Sequence, residues 1–325
     1  MKLVPIRLNT LPGLSDLPDE VTLPGYDART DFVPEIDPNY IFDKNFVRIL
    51  GGFLANDTAG GLMFSGPKGA GKSSGCHQLH AYLNRPLFYI SGQENLEWED
   101  LLATKEIVGG DTIALDGPLL QAARTPYATF LFEEVDRARS KVSVALNPVL
   151  DGYSIINTLD SGARIKPQEG FRMIFTGNTN GQGDMSGDYN SAVAMDSSFL
   201  DRVLCENVWY PKPEHEFQIL RRKVPASIDD EQLRKSIAFA NDVRFCYADR
   251  SDQASSTAQS IGATGAIHTP ISTRALVFLW ETMIIHSRVE SPIMHALKLV
   301  VTNKCTRTCA EAIEQLALAQ FAGDS

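Results

Sequence analysis

A parallel α/β sheet followed by a smaller all-helical domain is the fold class that the sequence predicts, and three features carry it. Short apolar runs alternate with helix-compatible stretches as far as Tyr210. One of these runs, Leu62-Met63-Phe64, feeds straight into a glycine-rich turn that opens a helix. From residue 213 onward the strand signal disappears and helical patterns take over.

In chain order, residues 1–42 are rich in Pro, Asp and Leu without a clear period. They read as an N-terminal arm that wraps the core or a neighbour, or as a disordered leader. Asp43 can cap a short helix running through Phe53, with Phe46, Ile49 and Leu50 on one face. Strands are expected at Leu62-Met63-Phe64, Leu87-Phe88-Tyr89-Ile90, Thr129-Phe130-Leu131-Phe132 and Phe171-Arg172-Met173-Ile174-Phe175. A fifth is expected at Val208-Trp209-Tyr210, stopped by Pro211. Between the second and third lies Ile107-Val108-Gly109-Gly110-Asp111-Thr112-Ile113, patterned as a hairpin with a Gly-Gly turn. A second extended pair is expected around Asp151-Gly152. Glu231–Tyr247 has Leu233, Ile237 and Ala240 on one helical stripe, and residues 251–266 read as a mobile Ser/Thr/Ala/Gly-rich loop. Helices are expected again at 273–287, 292–302 and 308–320. The domain reading is an arm (1–42), an α/β core (43–212) and a helical domain (213–325).

The 325 residues suffice for two packed units, and 43% hydrophobic with 22% charged residues is an ordinary globular balance. No apolar run approaches membrane-spanning length, and Met1–Arg7 lacks a sustained apolar stretch with a cleavage site. Five scattered cysteines do not suggest a disulfide framework. A cytoplasmic protein with no membrane partner is the expectation. The net charge of −10 disfavours a nucleic-acid partner, because phosphate neutralisation supplies most non-specific affinity. A local basic lining remains compatible with that charge. Cys76, His77 and His80 share the helix after the glycine turn, but a metal there would lack a fourth ligand and crowd the turn. No metal site is expected there; Cys305 and Cys309, at i, i+4 on a helix, read as core or half-buried residues, and Arg221-Arg222-Lys223 reads as a solvated face.

Gly66-Pro67-Lys68-Gly69-Ala70-Gly71-Lys72-Ser73 fits G-x-x-x-x-G-K-[ST], between an expected strand and a helix over about 72–83. Glycines let backbone N–H groups close around phosphates without Cβ clashes, and the helix N-terminus adds its positive end. Lys72 is expected on the β- and γ-phosphates and Ser73 on Mg²⁺, with Ser74 beside them. Such a loop needs carboxylates at a neighbouring strand end, and Phe130-Leu131-Phe132-Glu133-Glu134-Val135-Asp136 offers them. Glu133 takes the metal-side position and Glu134 the general-base position that orients the attacking water. Aspartate is usual at the first, and the extra methylene carries the Glu133 carboxylate about 1.5 Å further.

Together with Val33–Asp43, Thr176-Gly177-Asn178-Thr179-Asn180-Gly181-Gln182-Gly183-Asp184, Leu200-Asp201-Arg202 and Ser272-Thr273-Arg274, these stretches resemble the AAA+ ATPases of the MoxR type. The likeness is strongest to the CobS-like small subunits of cobaltochelatases, and runs from about Val33 to Arg274. It implies an AAA+ core with a helical lid, and ATP and Mg²⁺ as cofactors. It also implies a homo-oligomeric ring, a hexamer, and a von Willebrand A-like or other client protein. By position, Asn178 resembles sensor 1, Arg202 the arginine finger that reaches a neighbour's nucleotide, and Arg274 sensor 2. Tyr40 and Ile41 fall where the adenine pocket is expected. Arg137 and Arg139 are alternatives to Arg202 as the trans-acting arginine. The two hairpins resemble pore-facing insertions. The resemblance leaves three functions open: a partner-remodelling ATPase, as in metal chelation, a nucleic-acid-associated, phage or defence ATPase on the same scaffold, or a nucleotide-dependent scaffold with little turnover.

Overall fold

The computed structural model describes residues 2–56, 60–108, 111–157, 162–181, 183, 192–248, 251–261 and 265–321. The chain divides into two compact units, Met1–Trp209 and Tyr210–Ser325.

The first unit opens with an antiparallel pair, β1 (Leu3–Arg7) and β2 (Thr22–Tyr26), and the helix α1 (Lys44–Ala55). Asp43 caps α1 through the Phe46 N–H. There follow β3 (Gly61–Ser65), α2 (Lys72–Tyr82), β4 (Leu87–Ser91), α3 (Trp98–Leu102), β5 (Ala103–Val108), β6 (Asp111–Asp116) and α4 (Pro118–Arg124). Then come β7 (Thr129–Glu133), α5 (Ser140–Ala145), α6 (Asn147–Leu150), β8 (Ile155–Asn157), β9 (Ala163–Ile165), β10 (Arg172–Gly177), α7 (Ser197–Leu200) and β11 (Val203–Asn207). Among the described residues, five of these strands form one parallel sheet in the order β11-β3-β10-β7-β4.

Both faces of the sheet are covered, so its central strands carry continuous apolar runs rather than alternating ones. The two-residue period still decides which core each side chain enters. Phe64, Leu131 and Ile174 pack with Phe46, Leu50, Cys76 and Leu79 of α1 and α2. Met63, Phe130, Phe132 and Phe175 pack on the other side with Leu119, Leu120, Leu146 and Phe199.

The N-terminal segment is folded against its own core. Leu8, Leu11, Leu14 and Leu23 are buried with Phe42 and Phe46. Its leucines recur every third residue because the backbone makes successive three-residue turns: the N–H groups of Leu11, Leu14 and Leu17 donate to the carbonyls of Leu8, Leu11 and Leu14. A period of three belongs to neither an α-helix nor a strand, which is why no period is apparent in the sequence.

Four expectations need correction. The fifth sheet strand is Val203–Asn207, not Val208-Trp209-Tyr210. It is an edge strand with Leu204 and Cys205 exposed, so it lacks the apolar density that drew attention to the next three residues. The second extended pair is Ile155–Asn157 with Ala163–Ile165, beyond Asp151-Gly152. Gly152, at φ +85°, instead terminates α6, its N–H donating to Val149 O. Residues 251–266 are not simply a loop, since Ser256–Ile261 is helical with Ala258 buried. Cys305 and Cys309 do not share a helix, because Thr306 caps the last one between them. The turn residues Gly109 and Gly110 lie outside the described residues, although β5 and β6 pair antiparallel on either side of them.

The second unit is helical: α8 (Pro213–Lys223), α9 (Asp230–Tyr247), α10 (Ser256–Ile261), α11 (Thr273–Ile285), α12 (Pro292–Val300) and α13 (Arg307–Gln320). Leu220, Leu233, Ile237, Trp280 and Ile313 build its core. Arg244 Nη1 and Nη2 each lie 2.7 Å from a Glu216 carboxylate oxygen in a fully buried bidentate pair. Thr273 Oγ1 donates to the same carboxylate, tying the start of α11 to α8 and α9. Arg221 is not simply solvated, as its guanidinium holds Ile228 O and Asp230. No helix among the described residues is long and apolar enough to cross a membrane.

Candidate functional site

β3 ends at Ser65, and the chain reverses through Gly66 (φ +140°), Gly69 (φ +75°) and Gly71 (φ +93°) before α2 begins at Lys72. Gly66 is required twice over. Its φ is one L side chains rarely adopt, and a Cβ there would meet Val208 O at 2.0 Å. Gly71 occupies the N-cap position in the left-handed region, where a side chain would be strained and the first helical N–H groups are left without intrahelical partners. The loop thereby has the backbone form that binds anions.

Lys72 is 8% exposed, its ammonium donating to Gly66 O at 2.6 Å and Pro67 O at 2.9 Å, with Asn178 Oδ1 at 3.4 Å. Burial lowers its pKa from 10.5 to about 8, against the upward pull of Asp136 and Glu134. Two pH effects of opposite sign follow. Between pH 8 and 10.5 the unfolded chain holds the proton more tightly, so the contribution of Lys72 to folding stability rises with pH across that window. Binding of a triphosphate needs the ammonium, so affinity should hold below about pH 8 and fall by up to about tenfold per pH unit above it. Fluorescent-nucleotide titrations across that range check this; an affinity that is flat to about pH 9.5 contradicts it.

One further strand, β7, brings the acidic groups to the same edge of the sheet. Glu133 closes β7, its Oε1 3.3 Å from His77 Nε2 and its Oε2 accepting from Ser91 Oγ at 3.4 Å. Burial alone would raise this carboxyl, but hydrogen bonds from His77 and Ser73 outweigh it and hold the group below its ordinary value. Glu134 follows in the left-handed region, φ 48° and ψ 45°. Its N–H donates to Thr176 Oγ1 at 3.1 Å, and its Oε2 accepts from Arg137 Nη1 at 2.7 Å. A glutamate held in that conformation costs about 1–3 kcal/mol, a strain commonly found where a side chain must be aimed. Gly92, at the end of β4, leaves room for it: a Cβ there would lie 2.1 Å from Glu134 O.

Asn178 follows β10 beside Lys72, and its position is set by Asp136, a residue sequence reasoning quoted but gave no role. Buried Asp136 Oδ2 accepts from Asn178 N (2.7 Å), Thr179 N (2.9 Å) and Thr179 Oγ1 (3.1 Å). Asp136→Ala would leave two backbone N–H groups unmatched and release the Asn178 segment. A loss of about 2–4 kcal/mol in chemical denaturation is expected, and a loss under roughly 0.5 kcal/mol would show the anchor to be dispensable. Thr176, Asp136 and His77 were all missed as site residues. Of these only His77 carried a readable signal, lying four residues after Ser73 on the same helix face.

Tyr40 lies against the loop, its phenol hydrogen-bonded to Ser74 and its pKa raised by burial. Ile41 is buried behind it. Arg137 and Arg139 are engaged within the chain, with Glu134 and Glu97 respectively. Arg202 stands apart from all of these. It immediately precedes β11, whose Val203 pairs with Gly61 at the entry end of β3, whereas the glycine loop leaves the far end. At 3.3 Å per residue the strand puts about 15 Å between them. Its guanidinium bonds Asp151 Oδ1 (2.9 Å) and Ser198 O (2.6 Å). Arg274 lies in the second unit, exposed on the first turn of α11 behind the cap Ser272.

A bound triphosphate and its cation fit what is present. The glycine turn has an anion-binding backbone, and a buried ammonium sits beside it. Ser73 and a charged carboxylate supply hard oxygen donors. Asp136 Oδ1 is buried with no hydrogen-bond partner among the described residues, a spare acceptor at the same place.

The sheet order and this loop define a nucleotide-binding protein of the P-loop class. Residues 61–193 match the AAA domain of the dynein-related subfamily. The chain is 26% identical over 295 residues to the aerobic cobaltochelatase subunit CobS of Sinorhizobium sp, covering 88% of this chain and 82% of that one. It is 27% identical to the protein NorQ of Paracoccus denitrificans over 64% of this chain and 72% of that one. The protein CbbQ of Hydrogenophilus thermoluteolus is 26% identical over 66% and 76% of the two chains. By these matches the chain is similar to AAA+ proteins of the MoxR type.

Proposed function

We propose that this chain hydrolyses ATP as one subunit of a homo-oligomeric ring and uses the energy to remodel or activate a partner protein. The observation that carries the proposal is the gathering of Lys72, Ser73, Glu133, Glu134 and Asn178 at the carboxyl ends of the adjacent strands β3, β10 and β7. Ligands of open parallel sheets bind at that edge. Lys72 would neutralise the terminal phosphates, and the loop N–H groups would hold them in line. Ser73 and Glu133 would hold Mg²⁺, which when bound neutralises charge developing on the phosphate oxygens. Glu134 would accept the proton of the attacking water, and Asn178 would hold that water or the terminal phosphate. Tyr40 and Ile41 are assigned to the base side of the loop.

Arg202 cannot serve its own chain's loop across the length of β3, so it is assigned to a neighbour's. The exposed Arg274 is assigned the phosphate-reporting role of the helical unit. A partner-activating role is supported by the relatives, one of which is a cobaltochelatase subunit and another a denitrification regulatory protein, NirQ. A von Willebrand A-like protein is the client class proposed. The net charge of −10 weighs against the nucleic-acid alternative.

Mixing subunits tests the trans assignment. Arg202→Ala and Lys72→Ala proteins should each be inactive alone. Co-assembled in equal amounts they should regain up to about a quarter of wild-type turnover, at interfaces that pair an intact loop with an intact arginine. Mixed rings that stay inactive remove Arg202 from the reaction.

A further inference from the structure

We propose that His77 is a positioning residue for the cation: it holds the longer Glu133 side chain in the metal-side position that a shorter carboxylate would occupy unaided. The inference rests on the reading of Glu133 given above and goes beyond it, since nothing in that reading calls on a histidine.

The geometry is local and specific. Ser73 and His77 lie four residues apart on α2 and so project from one face of the helix. Both hydrogen-bond to Glu133 across the gap between α2 and the end of β7. Ser91, at the end of the neighbouring strand β4, holds the other carboxylate oxygen. His77 is itself kept in place by Tyr89, two residues before Ser91, whose ring meets the imidazole edge-on at 4.9 Å between centroids. Each oxygen of Glu133 is therefore held from a different element, and the side chain is only 16% exposed. A glutamate has one more rotatable bond than an aspartate, and a donor anchored on the loop's own helix removes that freedom. Groups that orient a ligating carboxylate change metal affinity tenfold to a hundredfold when lost.

The test is a set of Mg²⁺ titrations read as binding of a fluorescent ATP analogue, with affinity in EDTA measured alongside as a check on folding. His77→Phe keeps an aromatic ring against Tyr89 and removes the donor. It should raise the half-saturating Mg²⁺ concentration about tenfold while metal-free affinity stays within about twofold. His77→Gln, which restores a donor, should recover most of the loss. In a Glu133→Asp background, where the carboxylate is withdrawn from the imidazole, His77→Phe should change the midpoint by less than about threefold. If His77→Phe does not fold, His77→Leu takes its place in the same set. A Mg²⁺ midpoint unmoved by His77→Phe but raised by Glu133→Gln overturns the role of His77 and leaves the metal-side reading intact. Midpoints unmoved by both overturn that reading as well. Equal losses with and without the Glu133→Asp change show packing damage and overturn the proposal.

Discussion

Lys72→Ala removes nucleotide binding, by at least about a hundredfold in Kd, because the phosphates lose a buried cation and its charge-assisted bonds, each worth roughly 1.5–3 kcal/mol. The same substitution should do little harm to the fold. Lys72 is buried at a cost, visible in a pKa lowered to about 8, and in this structure its ammonium is satisfied chiefly by carbonyls of its own loop. Thermal unfolding without nucleotide should therefore shift by only a degree or two (roughly 0.5 kcal/mol). Isothermal titration measures the first effect and calorimetric scanning the second. Retained affinity would mean that the glycine loop is not the phosphate site. A collapsed Tm would mean that the lost affinity reports unfolding.

Glu134→Gln has the second largest expected effect, and it separates binding from chemistry. Glutamine keeps the shape, the strained backbone and the Thr176 contact, but cannot accept the water's proton. Turnover should fall at least about tenfold, and by as much as about 10⁴, while ATP affinity stays within roughly threefold. The pair lost with Arg137 is partly exposed and worth at most about 1 kcal/mol, so stability should barely move. Phosphate-release assays under saturating ATP give the result. A fully active Glu134→Gln protein would transfer the base role elsewhere, with Glu133 the nearest carboxylate in sequence.

The sequence made the central strands and the phosphate loop legible because both are written in contiguous residues. A buried parallel strand needs an unbroken apolar run, and a phosphate cradle needs glycine at fixed offsets. The edge strand Val203–Asn207 was not legible, since one side of an edge needs no burial and its alternation is weak. The leucines of the N-terminal segment were hidden by their three-residue turns. Within the site, residues that would touch phosphate or water stand in local motifs, while those that hold them do not. Asp136 grips the backbone of Asn178 and Thr179, and Thr176 grips that of Glu134, across 42 or 43 residues. Such pairs exist only once the sheet has brought β7 and β10 together. His77 lies between these cases. Its spacing from Ser73 was readable, but its partner came from another strand.

The central claim is that a triphosphate sits in the loop from Gly66 to Ser73 and is completed by a second subunit. A cryo-EM map of the Glu134→Gln protein with ATP and Mg²⁺ tests it most directly. Density for the triphosphate against Lys72 and the loop N–H groups, with an arginine of the adjoining protomer at its terminal phosphate, is the result expected. A ring whose loops are empty, or nucleotide bound to solitary protomers with no residue of a neighbour within reach, would contradict it.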